Sequence, residues 1–96
     1  MEKRNYRYCL ELKELSLKNG SEGTKKLSFD FENHDDLFQI FEAVRSRKIF
    51  SDDKTADEFA LGLKLFTEVM LKNNQHPLFE ELRPAIKEFM QKLKRF

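Results

Sequence analysis

The sequence predicts an α+β fold of order β-β-α-α-α: an N-terminal two-stranded antiparallel hairpin followed by three helical segments in one domain. Two observations carry that prediction. Apolar residues recur at every second position in the first third of the chain and at helical spacing afterwards, and period two marks a half-buried strand while period 3.6 marks an amphipathic helix. Turn and capping residues separate the segments, and strands followed by helices make an α+β arrangement with helices on one face of a small sheet.

Tyr6, Tyr8, Leu10 and Leu12 alternate with Asn5, Arg7, Cys9 and Glu11. Leu15 and Leu17 continue in the opposite phase, which requires a bulge near residues 13–14 or the end of the strand. KNGSEGT, with Asn19, Gly20 and Gly23, is a turn region. Leu27, Phe29 and Phe31 then alternate again. The pattern predicts strands at about residues 5–15 and 24–31. A two-stranded hairpin is marginal alone and has two open edges. The helices are therefore expected to cover its apolar face, and an edge can pair with that of a second subunit.

Asn33 is a good N-cap, with Asp35 and Asp36 placed for the first turn of a helix over residues 34–48. Leu37, Ile40, Phe41 and Val44 fall on its apolar face, and Phe38 falls off it. Arg45, Arg47 and Lys48 suit the negative end of the helix dipole. Thr55 and Glu58 form a T-x-x-E capping-box pattern that starts a second helix, running to about Lys72. Asn73 to Pro77 end it. Pro77 suits the first position of a short turn through Leu82. Pro84 rules out an unbroken helix at that point and suits a new start. Ile86, Phe89, Met90, Leu93 and Phe96 then line one face of a last helix.

The second helix, TADEFALGLKLFTEVMLK, is apolar over more than half its circumference. At about 100° per residue, Phe59, Leu63, Phe66 and Met70 form one stripe, flanked by Val69 and Gly62 on one side and Ala56 and Ala60 on the other. Asp57, Lys64, Glu68 and Lys72 form the narrow polar strip, with Leu61 inside it and Leu65 extending the apolar arc. Gly62 costs about 1 kcal/mol against alanine in a helix interior, so a close approach by another element is expected there. Two readings stay open. Either the helix is sandwiched between the hairpin and its sister helices, or Leu61 and Leu65 meet a second subunit or a partner.

Composition narrows the function. The 96 residues are 40% hydrophobic and 36% charged, with ten Phe, two Tyr and no Trp. That is enough for one modest core, filled by side chains that need no polar partner. Residues 1–50 carry 10 basic and 9 acidic groups, and residues 51–96 carry 8 of each. Neither half shows the basic bias of a nucleic-acid binder. An aromatic-basic surface of Lys3, Arg4, Tyr6, Arg7 and Tyr8 is disfavoured by phase, because both tyrosines share a face with Leu10 and Leu12. Lys3, Lys25 and Lys26 read as charges that keep an exposed strand soluble. The start of the chain has no apolar run of signal-peptide length, and no segment approaches ~18 consecutive apolar residues. A soluble cytoplasmic protein is expected.

Candidate chemistry is sparse. His34, Asp35 and Asp36 are the one dense cluster of metal or acid–base groups, and His76 is the other histidine. A divalent metal needs more converging ligands than one helical turn supplies, so the cluster reads as a helix N-terminus. Cys9, the single cysteine, has no local base and no cause for a lowered pKa. The pairs Asp52-Asp53 and Glu80-Glu81 are sequence neighbours that do not share a helical face, which makes them solvated surface. No catalytic residue, metal or cofactor is expected.

Several segments carry a family likeness: SFDFENHDDLF, GLKLFTEVMLKNNQHPLFEEL and FMQKLK. Within them the recognisable pieces are His34-Asp35-Asp36-Leu37, the run from Gly62 to Leu71, Pro77-Leu78-Phe79, and Phe89-Met90 with Leu93-Lys94. Together they resemble a small bacterial family, domain of unknown function 3861, from end to end. The resemblance implies a small standalone α+β bacterial protein and brings no catalytic residue with it. The leading expectation is a non-enzymatic protein-interaction or regulatory module acting as a homodimer, with Leu61, Gly62, Leu65 and Phe38 as candidate interface. The alternatives are a nucleic-acid-associated regulator using residues 34–48 and 55–72 as a helix-turn-helix-like pair, and a small-molecule module with a Phe-lined pocket.

Overall fold

A computed structural model of the chain describes residues 4–96. Lys3 lies outside the described residues. The element order is β1 (Tyr6–Lys13), β2 (Lys26–Asn33), α1 (Leu37–Ser46), α2 (Asp53–Lys72), a short 3-10 turn (Pro77–Phe79) and α3 (Leu82–Arg95). This is the expected hairpin followed by three helical segments. The chain divides into two compact units, one ending at Asp35 and the other spanning Asp36–Phe96.

In the hairpin unit β1 and β2 pair antiparallel, with Tyr6 opposite Asn33 and Lys13 opposite Lys26. Directly opposed residues share a face. Tyr8–Phe31, Leu10–Phe29 and Leu12–Leu27 therefore build one apolar face, while Arg7–Glu32, Cys9–Asp30 and Glu11–Ser28 build a polar one. Rings line the apolar face: Tyr8 and Phe31 lie 5.5 Å apart and Phe29 and Phe31 6.1 Å. The strand ends at Lys13, where the phase switches. Beyond it the pairing continues one residue out of register: the Glu14 amide donates to the Lys25 carbonyl at 2.9 Å, the Gly23 amide to the Leu15 carbonyl at 3.0 Å, and a bridge joins Ser16 to Glu22, the two-against-one count of a bulge. Gly20 closes the turn at φ +88, a conformation that glycine adopts without steric cost.

The β2 strand runs two residues further than predicted, so Asn33 ends a strand instead of capping a helix. Its side chain is fully buried, and its Oδ1 accepts from the Asp35 amide at 3.0 Å. The cap of α1 is Asp36, whose carboxylate accepts from the Phe38 amide at 3.0 Å. No acid then remains in the first turn of α1. The capping box predicted at Thr55 and Glu58 is also displaced. Asp52 caps α2, accepting from the Thr55 amide at 3.1 Å, because an aspartate at the last position of the connector reaches the free amides of the first turn.

The core of the helical unit is Val44 of α1 against Ala56 and Ala60 of α2, with Ile40, Phe41, Phe50 and Phe59 packed around them. The small alanines let α1 approach closely. They begin a row at i, i+4 spacing, the ridge along which helices pack, and the same row continues through Lys64 to Glu68. Glu68 is consequently buried at 8% exposure, which corrects its expected place on a solvated strip. The opposite side of α2 is open: Phe66 and Val69 are 42% and 52% exposed. Gly62 lies on that open side, and among the described residues nothing is within 4 Å of the position a Cβ would take, so the expected close approach is not found there. The close approach occurs at Gly23 instead, where an added Cβ would meet the Glu14 carbonyl oxygen at 2.5 Å.

Pro77 takes the first position of the 3-10 turn as predicted, and His76 caps it, its Nδ1 accepting from the Leu78 amide at 3.1 Å. The last helix starts at Leu82, so Pro84 sits in its first turn, where a missing amide hydrogen breaks no helical bond. Among the described residues, no helix is long and apolar enough to cross a membrane.

Candidate functional site

The titratable groups do structural work. The Arg45 guanidinium donates from Nε and Nη2 to the two Asp57 carboxylate oxygens, at 2.8 and 2.5 Å, a paired geometry that fixes both side chains. That contact holds the Asp57 carboxyl below its usual range and the Arg45 guanidinium above its own. Asp52 is lowered as well, by its bonds to Thr55 at the start of α2. Neither carboxyl is poised to donate a proton near neutral pH. Cys9 is exposed, and its thiol is pushed up by partial desolvation and by the neighbouring Asp30. That is the opposite of what a nucleophilic cysteine requires. His34 reaches Asp35 at 3.5 Å. Among the described residues, no three His, Cys, Asp or Glu side chains converge as a metal site.

The candidate interface residues of α1 and α2 do not form one exposed stripe. Leu61 and Leu65 are half-buried and Gly62 is exposed. Phe38 is 69% exposed, with its ring edge-on to Phe41 at 5.8 Å. The missed feature is on the hairpin. Leu12 and Leu27, opposed across the strands, are 63% and 57% exposed, Phe29 is 42% exposed, and Leu15 just beyond the strand is 80% exposed. Leu12, Leu27, Lys13, Lys26, Glu14 and Lys25 surround an open hollow of about 460 Å³ at the loop end. The alternation of apolar residues identified this face, but not the extent of its exposure.

In the helical unit the Phe residues do line cavities. Phe50, Phe59, Phe89 and Phe96 border a cleft of about 240 Å³ with Ile49, Leu93 and Lys92. Phe59 and Leu93 also border a second cleft of about 150 Å³, edged by Arg47, Lys64 and Lys94. Arg47 holds the C-terminal end of α3, donating to the carbonyl oxygens of Leu93 at 3.0 Å and Lys94 at 2.8 Å.

Comparison with curated proteins gives no match. Among solved structures the chain is similar to a protein of unknown function from Pectobacterium atrosepticum SCRI1043. The two are 33% identical with a TM-score of 0.85, over 97% of this chain and 100% of the other. The model of the family described as a domain of unknown function with solved structure, DUF3861, matches residues 6–95. With nearly every residue inside that match, and with the hairpin and three helical segments now in place, the chain belongs to the DUF3861 family.

Proposed function

We propose that this protein is a small cytoplasmic interaction module without enzymatic activity that works as a homodimer, its two copies meeting through the apolar faces of their hairpins. The observation that carries this reading is the exposure of Leu12, Leu15, Leu27 and Phe29 on one face of a two-stranded sheet. Such a sheet gains independent stability only when a third strand or another surface covers its apolar side.

The rim of the hollow beside Leu12 and Leu27 carries Glu14 together with Lys13, Lys25 and Lys26, so both signs are available to a self-complementary interface about a two-fold axis. The nucleic-acid reading has less support. Six residues connect Ser46 to Asp53, more than the roughly 3–4-residue turn of a helix-turn-helix. The non-enzymatic reading is supported by the engagement of Asp52 in helix capping and of Asp57 in the pair with Arg45. Light scattering on the purified protein at micromolar concentration tests self-association, with a dimer mass expected. The variant Leu12→Asp/Leu27→Asp should give a folded monomer. A double variant that remains dimeric would place the interface elsewhere.

A further inference from the structure

A two-stranded sheet has an open edge on each strand, and the outer edge of β1 carries a pattern that fits itself. Among the described residues, no third strand lies beside β1. Pairs in an antiparallel ladder alternate between hydrogen-bonded and non-hydrogen-bonded. The Glu14 amide donates to the Lys25 carbonyl at 2.9 Å, in the register that sets Lys13 opposite Lys26. Counting back from that bond, Tyr8, Leu10 and Leu12 turn their backbone N–H and C=O groups toward β2. Arg7, Cys9 and Glu11 turn theirs outward. Among the described residues, no backbone group of another segment bonds to these three, and their side chains are exposed on the polar face. Such an edge is a template for a further strand.

We propose that β1 pairs antiparallel with β1 of a second copy, in the register that sets Cys9 opposite Cys9 across a two-fold axis. That register places Arg7 opposite Glu11 of the second copy, twice by symmetry, and Tyr6 and Tyr8 opposite Leu12 and Leu10. Opposite charges across a strand pair stabilise a sheet, and like charges destabilise it. A slip of one residue would turn the apolar side chains to the polar face. A slip of two would set Arg7 against Cys9 or Lys13 and lose both ion pairs. Glu11 faces Ser28 within its own hairpin, so no cation stands opposite it. The Arg7 guanidinium reaches Asp30 only at 3.5 Å, and its side chain is 74% exposed, which leaves donors for a second carboxylate. On β2 the two acids already stand around Arg7, Glu32 directly opposite it and Asp30 paired with it. The β1 edge therefore holds the acid that lacks a cation. The pairing makes a four-stranded sheet about an axis perpendicular to its plane. It leaves the apolar face free and so adds to the face-to-face contact.

The test is amide hydrogen exchange of the full chain, read by NMR over a range of protein concentrations. The Arg7, Cys9 and Glu11 amides should exchange more slowly as concentration rises, and those of Ser28 and Asp30 should not change. A short bismaleimide should join two Cys9 thiols into a covalent pair, because a hydrogen-bonded cross-strand pair brings its Cα atoms to about 5.5 Å. Glu11→Arg, at an exposed position opposite Ser28, should weaken this association by roughly tenfold or more. Arg7→Glu/Glu11→Arg restores opposite charges across the axis and should recover both protection and cross-link. A role of Glu11 confined to its own hairpin would give no such recovery. Exchange at Arg7, Cys9 and Glu11 that ignores concentration, protection of Ser28 and Asp30 instead, or a double variant no better than Glu11→Arg would overturn the proposal. So would equal protection by an added alternating peptide that lacks the two charges, because the edge would then accept any extended segment. A failed face contact leaves these amides protected and a failed edge contact leaves them free, so the two interfaces are read separately.

Discussion

Gly23 and Gly62 look alike in sequence and do opposite things. Gly23 is a glycine because the Glu14 backbone leaves no room for a Cβ. Gly23→Ala should lower stability by about 1–3 kcal/mol, the usual cost of overpacking, and shift the Glu14 and Leu15 amides. Gly62 has open space around it in the middle of α2. Gly62→Ala should raise stability by about 0.5–1 kcal/mol through helix propensity and a less free unfolded chain, read as a higher urea midpoint. A loss there would mean that a second molecule packs against this glycine. Two carboxyls set the acid response. Asp52 and Asp57 are held below their ordinary value of 3.8, so the unfolded chain takes up protons before the folded one does. Their stabilisation is full above that value and disappears as pH falls through the lower folded values. The melting temperature should therefore drop as pH goes from about 5 to about 3, and Asp52→Asn/Asp57→Asn should flatten that drop.

At the scale of elements, periodicity made most of the fold legible and local capping made its boundaries misleading. The hairpin and all three helical segments follow from spacing alone. The predicted caps at Asn33 and Thr55 failed because a better-placed aspartate, Asp36 or Asp52, competes for the same free amides. The phase of α2 was misread for another reason. Large side chains dominate any count of apolar area, yet helices approach along small ones, and Ala56 and Ala60 set the buried row that carries Glu68 inward. The end of α1 offers a direct check. Lys48 ends it at φ 57, a left-handed conformation that costs a non-glycine residue about 1–2 kcal/mol. Lys48→Gly should recover roughly 1 kcal/mol in thermal unfolding, and Lys48→Ala should recover none of it.

For the whole molecule, no motif in the sequence could have pointed to the candidate site, because each feature is a property of exposure. The apolar stripe Leu10, Leu12, Leu27, Phe29 is written in the alternation, but a strand pattern reads the same whether its face is covered by the chain or by another copy. The helical clefts are bordered by chain segments about 45 residues apart, joined by the bonds from Arg47 to Leu93 and Lys94. The central claim is that the hairpin face is an interface between two copies, and sedimentation equilibrium of the wild type beside Leu12→Asp/Leu27→Asp tests it most directly. A wild-type dimer with a folded, monomeric double variant is expected. A wild-type protein that stays monomeric at micromolar concentration would contradict it.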